Sequence, residues 1–133
     1  SAFKTGALIT IARRDHLSNY EKTGVIINAD TSNRLLQSIF FKNNPLHDGS
    51  VIIRKDKIIA ASCALPTSER VDLPPRFGMR HRAAIGLTER TDAVVIVVSE
   101  ETGAISFAKH GEIETNIGPN RLREILKENF EKE

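Results

Sequence analysis

The chain has 133 residues, enough for one domain that buries roughly two-thirds of the surface its unfolded form exposes. A make-up of 40% hydrophobic and 27% charged residues is that of a globular protein and excludes a disordered or fibrous chain. With 19 Lys and Arg against 17 Asp and Glu the net charge is only +2, and no basic stripe suited to a nucleic-acid backbone is present. The dense basic element is short (Arg76, Arg80, His81, Arg82), the scale of a few phosphates rather than a duplex.

Cys63 stands alone in an apolar stretch, so a buried thiol and a reducing compartment are expected, with no disulfide within the chain. No stretch approaches the ~18 apolar residues of a membrane span, and no signal peptide is visible. This segment is therefore expected to make no membrane contact itself. The chain opens on Ser1 rather than Met, consistent with a fragment from which an anchor has been removed.

In chain order, Ala7 to Arg13 is predicted to be a strand, and Ser18 to Lys22 a short helical turn ended by Gly24. Val25-Ile26-Ile27 is an apolar run too short to classify by periodicity. Asp30, Thr31 and Ser32 offer capping oxygens ahead of a helix whose Leu35, Leu36, Ile39 and Phe40 form one stripe. Asn43-Asn44-Pro45 stops it. Ser50 to Arg54 and Lys57 to Ala64 read as a hairpin around Lys55-Asp56. Pro66 to Phe77, with three prolines, is a loop, and Met79 to Leu87 fits a helix with Ala83, Ala84 and Leu87 inward. Ala93 to Val98 has no polar alternation and predicts a strand buried on both faces. Glu101-Thr102-Gly103 turns into a strand over Ala104 to Lys109. Pro119 opens the last helix, with Leu122, Ile125 and Leu126 inward. The expected fold is a single α/β domain over residues 1–133, with a mixed-direction sheet flanked by helices.

Three segments concentrate polar residues at element ends. In His47-Asp48-Gly49-Ser50 the carboxylate suits a divalent metal or a proton transfer, and the glycine a tight turn or a ligand's close approach; an Asp-Gly turn is the simpler reading. In Met79-Arg80-His81-Arg82 cations crowd a helix N-terminus, against the helix dipole. A bound phosphate resolves that conflict, as would a solvated basic turn or ion pairs to Glu69 or Asp72. Ser99-Glu100-Glu101-Thr102-Gly103 supplies carboxylates and hydroxyls, although turn chemistry alone accounts for it. His16 and His110 are expected at the surface. No zinc spacing, P-loop or dinucleotide motif is present.

Taken together, these segments resemble the diadenylate cyclase domain of bacteria, in particular its membrane-anchored branch. The resemblance runs from about Thr5 to Thr115. It is carried by His47-Asp48-Gly49-Ser50 against an Asp-Gly-Ala motif, by Arg80-His81-Arg82 against Arg-His-Arg, and by the flanking Asn44-Pro45-Leu46, Val51-Ile52-Ile53 and Ala83-Ala84-Ile85-Gly86. It implies a nucleotidyltransferase that joins two ATP into cyclic di-AMP across a face-to-face homodimer, releasing two pyrophosphates, with Mn2+, Mg2+ or Co2+. It implies Asp48 at the 3′-hydroxyl or its metal, His47 and Glu101 as further metal ligands, and Arg80, His81 and Arg82 on the phosphates. Gly49, Ser50, Leu65, Met79, Ser99 and Thr102 would contact the ATP. A cytoplasmic domain tethered to the membrane by a segment outside this chain is also implied. Ser50 stands where the family usually has Ala, Met79 where Thr is common, and Ala64 where the anchored branch often has Tyr. Loss of an aromatic stack there, worth about 1 kcal/mol, predicts weaker or rearranged adenine binding without loss of activity. Two alternatives stand beside the cyclase: a silent ATP or cyclic di-AMP sensor of the same fold, and a nucleotidyltransferase with another acceptor.

Overall fold

The computed structural model describes residues 6–41 and 43–131. Among them, seven strands form one sheet in the order β2-β4-β3-β1-β5-β6-β7. The strands are β1 (Ala7–Ile11), β2 (Val25–Asp30), β3 (Ser50–Arg54), β4 (Lys57–Cys63), β5 (Val94–Val98), β6 (Ile105–Lys109) and β7 (Glu112–Glu114). Four α-helices accompany them: α1 (Ser18–Glu21), α2 (Asn33–Ile39), α3 (Met79–Arg90) and α4 (Pro119–Leu126). Only β1 and β3 run parallel; every other neighbouring pair is antiparallel. The sheet is mixed, as expected.

Strand alternation sorts the apolar side chains into two layers. Leu8, Ile52, Val95 and Val97 pack with Leu17 and Tyr20 of the α1 region and Ala84 and Leu87 of α3. Ala7, Ile9, Val51, Ile53 and Ile58 pack on the other face with Leu35, Leu36 and Ile39 of α2. Val94 and Phe107 pack there with Leu122 and Ile125 of α4. Each fully buried aliphatic side chain contributes about 1.5–3 kcal/mol.

The β3–β4 hairpin turns at Lys55, whose φ is +56°, but it is not regular. Ser50 faces Cys63, Ile52 faces Ala60 and Ile53 faces Ile58, so the register shifts by one residue of β4 at each step, the first where Ser62 takes a φ of +58°. The structure also settles what the sequence left open or set shorter. Val25–Asp30 is an edge strand, and Asp30 ends it in an ion pair with Lys57 instead of capping α2. Ser32 is the N-cap, accepting the Leu35 N–H at 3.1 Å. Glu112–Glu114, too short for a period-2 signal, pairs with β6, and α3 runs on to Arg90. Cys63 is buried as expected, and burial pushes its thiol up to about 11.

One buried polar pair ties the central strands. The Ser50 and Thr10 hydroxyls meet at 2.9 Å, and Ser50 Oγ also lies 3.0 Å from the Leu8 carbonyl, with both residues 0% exposed. Ser50→Ala is expected to cost about 1–2 kcal/mol, because the Thr10 hydroxyl loses its side-chain partner in a dry site. Adding Thr10→Val should recover most of that loss in urea unfolding; two additive losses would refute the coupling.

Candidate active site

Strand direction decides where the polar segments go. Because β1 parallels β3 and opposes β5, the starts of β1 and β3 and the ends of β4 and β5 share one end of the sheet. Ile9 aligns with both Val51 and Ile96, and Ala7 with Val98, so Gly49, just before β3, lies level with Ala7 and Val98. Across that end lie, in strand order, Ala64-Leu65 after β4, His47-Asp48-Gly49 before β3, and Ser99-Glu100-Glu101 after β5. From β4 to β5 is three strand spacings, about 14 Å.

The first segment is held by a 3-10 turn over Pro45–His47, capped by Asn44, whose side chain accepts the Leu46 N–H. His47 Nδ1 donates to the Asn44 carbonyl at 2.7 Å, so in the neutral ring Nε2 is the nitrogen left to accept or ligate. Asp48 beside it is exposed. Gly49 has a φ of +78°, and a Cβ there would lie 2.7 Å from the Cys63 carbonyl. Its close approach is thus to the main chain of β4. The Ser50 hydroxyl is buried within the sheet and bonded to Thr10 and to the Leu8 carbonyl, which leaves its main chain as the part able to face a nucleotide.

The second and third segments meet around a cavity of about 320 Å³. Arg76, Gly78, Met79, Arg80 and His81 line it from the loop and the start of α3, and Val97, Val98, Ser99, Glu100 and Glu101 from the end of β5. Arg80 Nη1 is 3.9 Å from Glu100 Oε1. Arg82 is not among the lining residues: two positions beyond Arg80 it projects from a different side of the helix. Its guanidinium instead donates to the Arg70 carbonyl at 3.4 Å. Thr102 is also outside the lining; its hydroxyl accepts the Ala104 N–H at 3.1 Å and shapes the β5–β6 turn. Asp72, one of the alternative partners for the basic cluster, pairs with Arg70. Leu65 is half-buried against the Leu8 layer, and Ala64 is exposed, its N–H held by the Thr23 hydroxyl at 2.8 Å.

Sequence reasoning missed how Phe77 and Arg76 enter the site. The Phe77 ring is stacked on His81, centroids 5.0 Å apart, and the Arg76 guanidinium carbon lies 5.2 Å from the same ring. The signal was there in the i, i+4 spacing of Phe77 and His81 across the helix start. Burial, with Arg76 and Arg80 nearby, holds the His81 imidazole below its usual value. A histidine depressed in this way binds fewer protons folded than unfolded. Its contribution is complete above the ordinary histidine value of 6.5 and is lost as pH falls toward and through the depressed one. The wild-type chain is therefore expected to lose more stability than His81→Gln between pH 7.5 and 5.5, as read by urea unfolding; equal losses would refute it.

His47, Asp48 and Glu101 do not form a common metal cage. Among the described residues no three His, Cys, Asp or Glu are grouped to hold an ion. The reason is topological: Glu101 follows β5, two strands away from β3, about 10 Å across the sheet.

A mixed sheet between helix layers, with a cationic cavity at one sheet end, has the features of a nucleotide-binding α/β domain. The family model described as "DisA bacterial checkpoint controller nucleotide-binding" matches residues 1–113, and the chain belongs to that family. It is 45% identical over 129 residues to the cyclic di-AMP synthase CdaA of Bacillus subtilis, covering 97% of this chain and 47% of that protein. It is 46% identical over 123 residues to a diadenylate cyclase of Listeria monocytogenes, covering 92% and 45%. The chain thus spans about half the length of these curated relatives. The crystal structure of a double mutant of DacA from Staphylococcus aureus superposes with a TM-score of 0.92 at 39% identity, covering 96% of this chain and 85% of that one. A hypothetical membrane spanning protein from Bacillus cereus gives 0.82 at 45% identity, covering 86% and 56%.

Proposed function

We propose that residues 1–133 form one diadenylate cyclase domain, which condenses two ATP into cyclic di-AMP and two pyrophosphates. The observation that carries this reading is the gathering of the 47–50, 64–65, 78–81 and 99–101 segments at one end of the sheet. A nucleotide laid across that end has an apolar contact at Leu65, an exposed carboxylate at Asp48 and a cationic cavity at Arg80 and His81.

Asp48 acts at the 3′-hydroxyl, orienting it and drawing off its proton. Arg80 and His81 hold the phosphates and offset charge on the departing pyrophosphate, with Met79 and Ser99 beside them. Gly49 keeps the main chain close to β4 so that Asp48 stands at the strand tip, and Ser50 anchors that strand from below. Arg82 and Thr102 support the site from behind, through the 66–77 loop and the β5–β6 turn.

The residues present fit a divalent cation, Mn2+, Mg2+ or Co2+. His47 offers Nε2 beside the Asp48 carboxylate, and phosphate oxygens would complete a set that protein side chains leave short, as hard cations at nucleotide sites commonly require. Glu101 lines the cavity two strands away and would serve an ion on the phosphate side rather than share the His47-Asp48 position. When bound, such an ion neutralises phosphate charge and acidifies the hydroxyl.

One chain offers one such site while the reaction consumes two ATP, so the active species is a homodimer, at least transiently, with each 3′-hydroxyl facing the α-phosphate on the other copy. No helix among the described residues is long and apolar enough to cross a membrane. The proposal includes a tether outside this chain that holds a cytoplasmic domain at the membrane, in line with the description of the Bacillus cereus relative.

Incubation with ATP and manganese, followed by mass identification of the nucleotides, tests this reading. Cyclic di-AMP with pyrophosphate is expected, at a rate rising faster than linearly with enzyme concentration. Unchanged ATP points instead to a sensor, and a linear adduct to a different acceptor.

A further inference from the structure

The cavity at the start of α3 is lined by a guanidinium that lies outside the Arg80-His81-Arg82 motif. Arg76 lines it from the preceding loop, with an exposed side chain. Among the described residues no carboxylate forms an ion pair with it, whereas Arg80 has Glu100 within 3.9 Å and Arg70 is paired with Asp72. An exposed guanidinium on a proline-rich loop ordinarily ranges freely, but this one lies over Phe77, whose ring is only 8% exposed and packs with Leu73 and Ile85. The same ring is stacked on His81 within 12° of parallel. A single buried aromatic side chain thus sets two basic residues of the cavity. One belongs to the helix and one to the loop, and both lie at a helix start whose free N–H groups already favour an anion.

We propose that Arg76 is a further phosphate-binding residue of the nucleotide site, and that Phe77 is a positioning residue holding Arg76 and His81 together. The inference rests on the nucleotide reading above and adds to it a loop-borne contact to the polyphosphate chain. A guanidinium without a carboxylate partner can meet phosphate oxygens through two parallel N–H bonds without first breaking an ion pair. Platform stacking limits the side-chain freedom lost when it does so.

Titration calorimetry of the whole chain with the α,β-methylene analogue of ATP, which cannot release pyrophosphate, and with adenosine, which has no phosphate, tests the assignment. Arg76→Gln is expected to weaken the analogue about ten-fold, the scale of one charge-assisted hydrogen bond, and to leave adenosine unchanged. Phe77→Leu should weaken the analogue similarly, and Phe77→Tyr, which keeps the ring, should retain wild-type affinity. Arg76 is exposed, so Arg76→Gln stays informative even if Phe77→Leu does not fold. Wild-type affinity for the analogue in Arg76→Gln overturns the phosphate role. Equal loss in Phe77→Leu and Phe77→Tyr overturns the positioning role. A wild-type chain that binds neither compound overturns the nucleotide reading itself, a different result from either.

Discussion

Asp48→Asn is expected to lower the conversion of ATP to cyclic di-AMP by about two to four orders of magnitude, the range for loss of a group that takes up a proton in the transition state. The substitution keeps size and hydrogen-bonding shape and removes only the negative charge. Asp48 is exposed at the tip before β3, so the fold does not depend on that charge. The thermal midpoint should therefore stay within about 1–2 °C of wild type, in keeping with the small effect of most surface substitutions. Retained turnover in the folded variant would remove Asp48 from the chemistry. Loss of turnover together with loss of structure would assign it a folding role instead. A comparison variant at Glu101, also exposed at the same sheet end, tells whether both carboxylates are needed.

The second large effect concerns a glycine inside α3. In an isolated helix Gly→Ala stabilises by about 1 kcal/mol. At Gly86 the opposite sign is expected, because a Cβ there would lie 2.0 Å from the Pro66 carbonyl oxygen and 2.7 Å from the Ser68 nitrogen. The loop would have to lift from the helix. That would break the bond from the Ser68 N–H to the Arg82 carbonyl (2.9 Å) and the one from the Ser68 hydroxyl to Glu89 (2.9 Å). Gly86→Ala should thus cost about 2–4 kcal/mol and lower the melting temperature by on the order of 10 °C. An unchanged or higher midpoint would mean that the loop moves aside without penalty. The same loop carries Arg76 and Phe77, so nucleotide affinity should fall with stability in this variant.

The chemistry of the candidate site was legible as three local segments, each with a local explanation as good or better. For two of them those local explanations also hold: Gly49 does make a turn, and Thr102 does cap the β5–β6 turn. Their assembly was not legible, since it depends on β1 running parallel to β3, a pairing of residues some forty positions apart. Inward or outward direction was hidden as well. Arg80 and Arg82 look alike in the sequence, but helical pitch sends one to the cavity and the other to the Arg70 carbonyl. Ser50 is a nucleotide contact only by the family resemblance; its alternation within β3 buries its side chain against Thr10.

Local information was sufficient for the elements whose cause is local. Among them are the stripe of α2, the Lys55-Asp56 turn, the apolar β5, the Pro119 start of α4 and the motif residues that mark the family. These follow from periodicity, backbone restriction and side-chain type, which neighbouring residues impose on one another. Long-range pairing assigned the edge strand β2, the bulge at Ser62, the separation of Glu101 from His47 and Asp48, and the stacking of Phe77 with His81 and Arg76. Each of these depends on which surfaces meet after the chain has closed on itself, and that choice is made by burial summed over the whole sheet, not by any short stretch of residues.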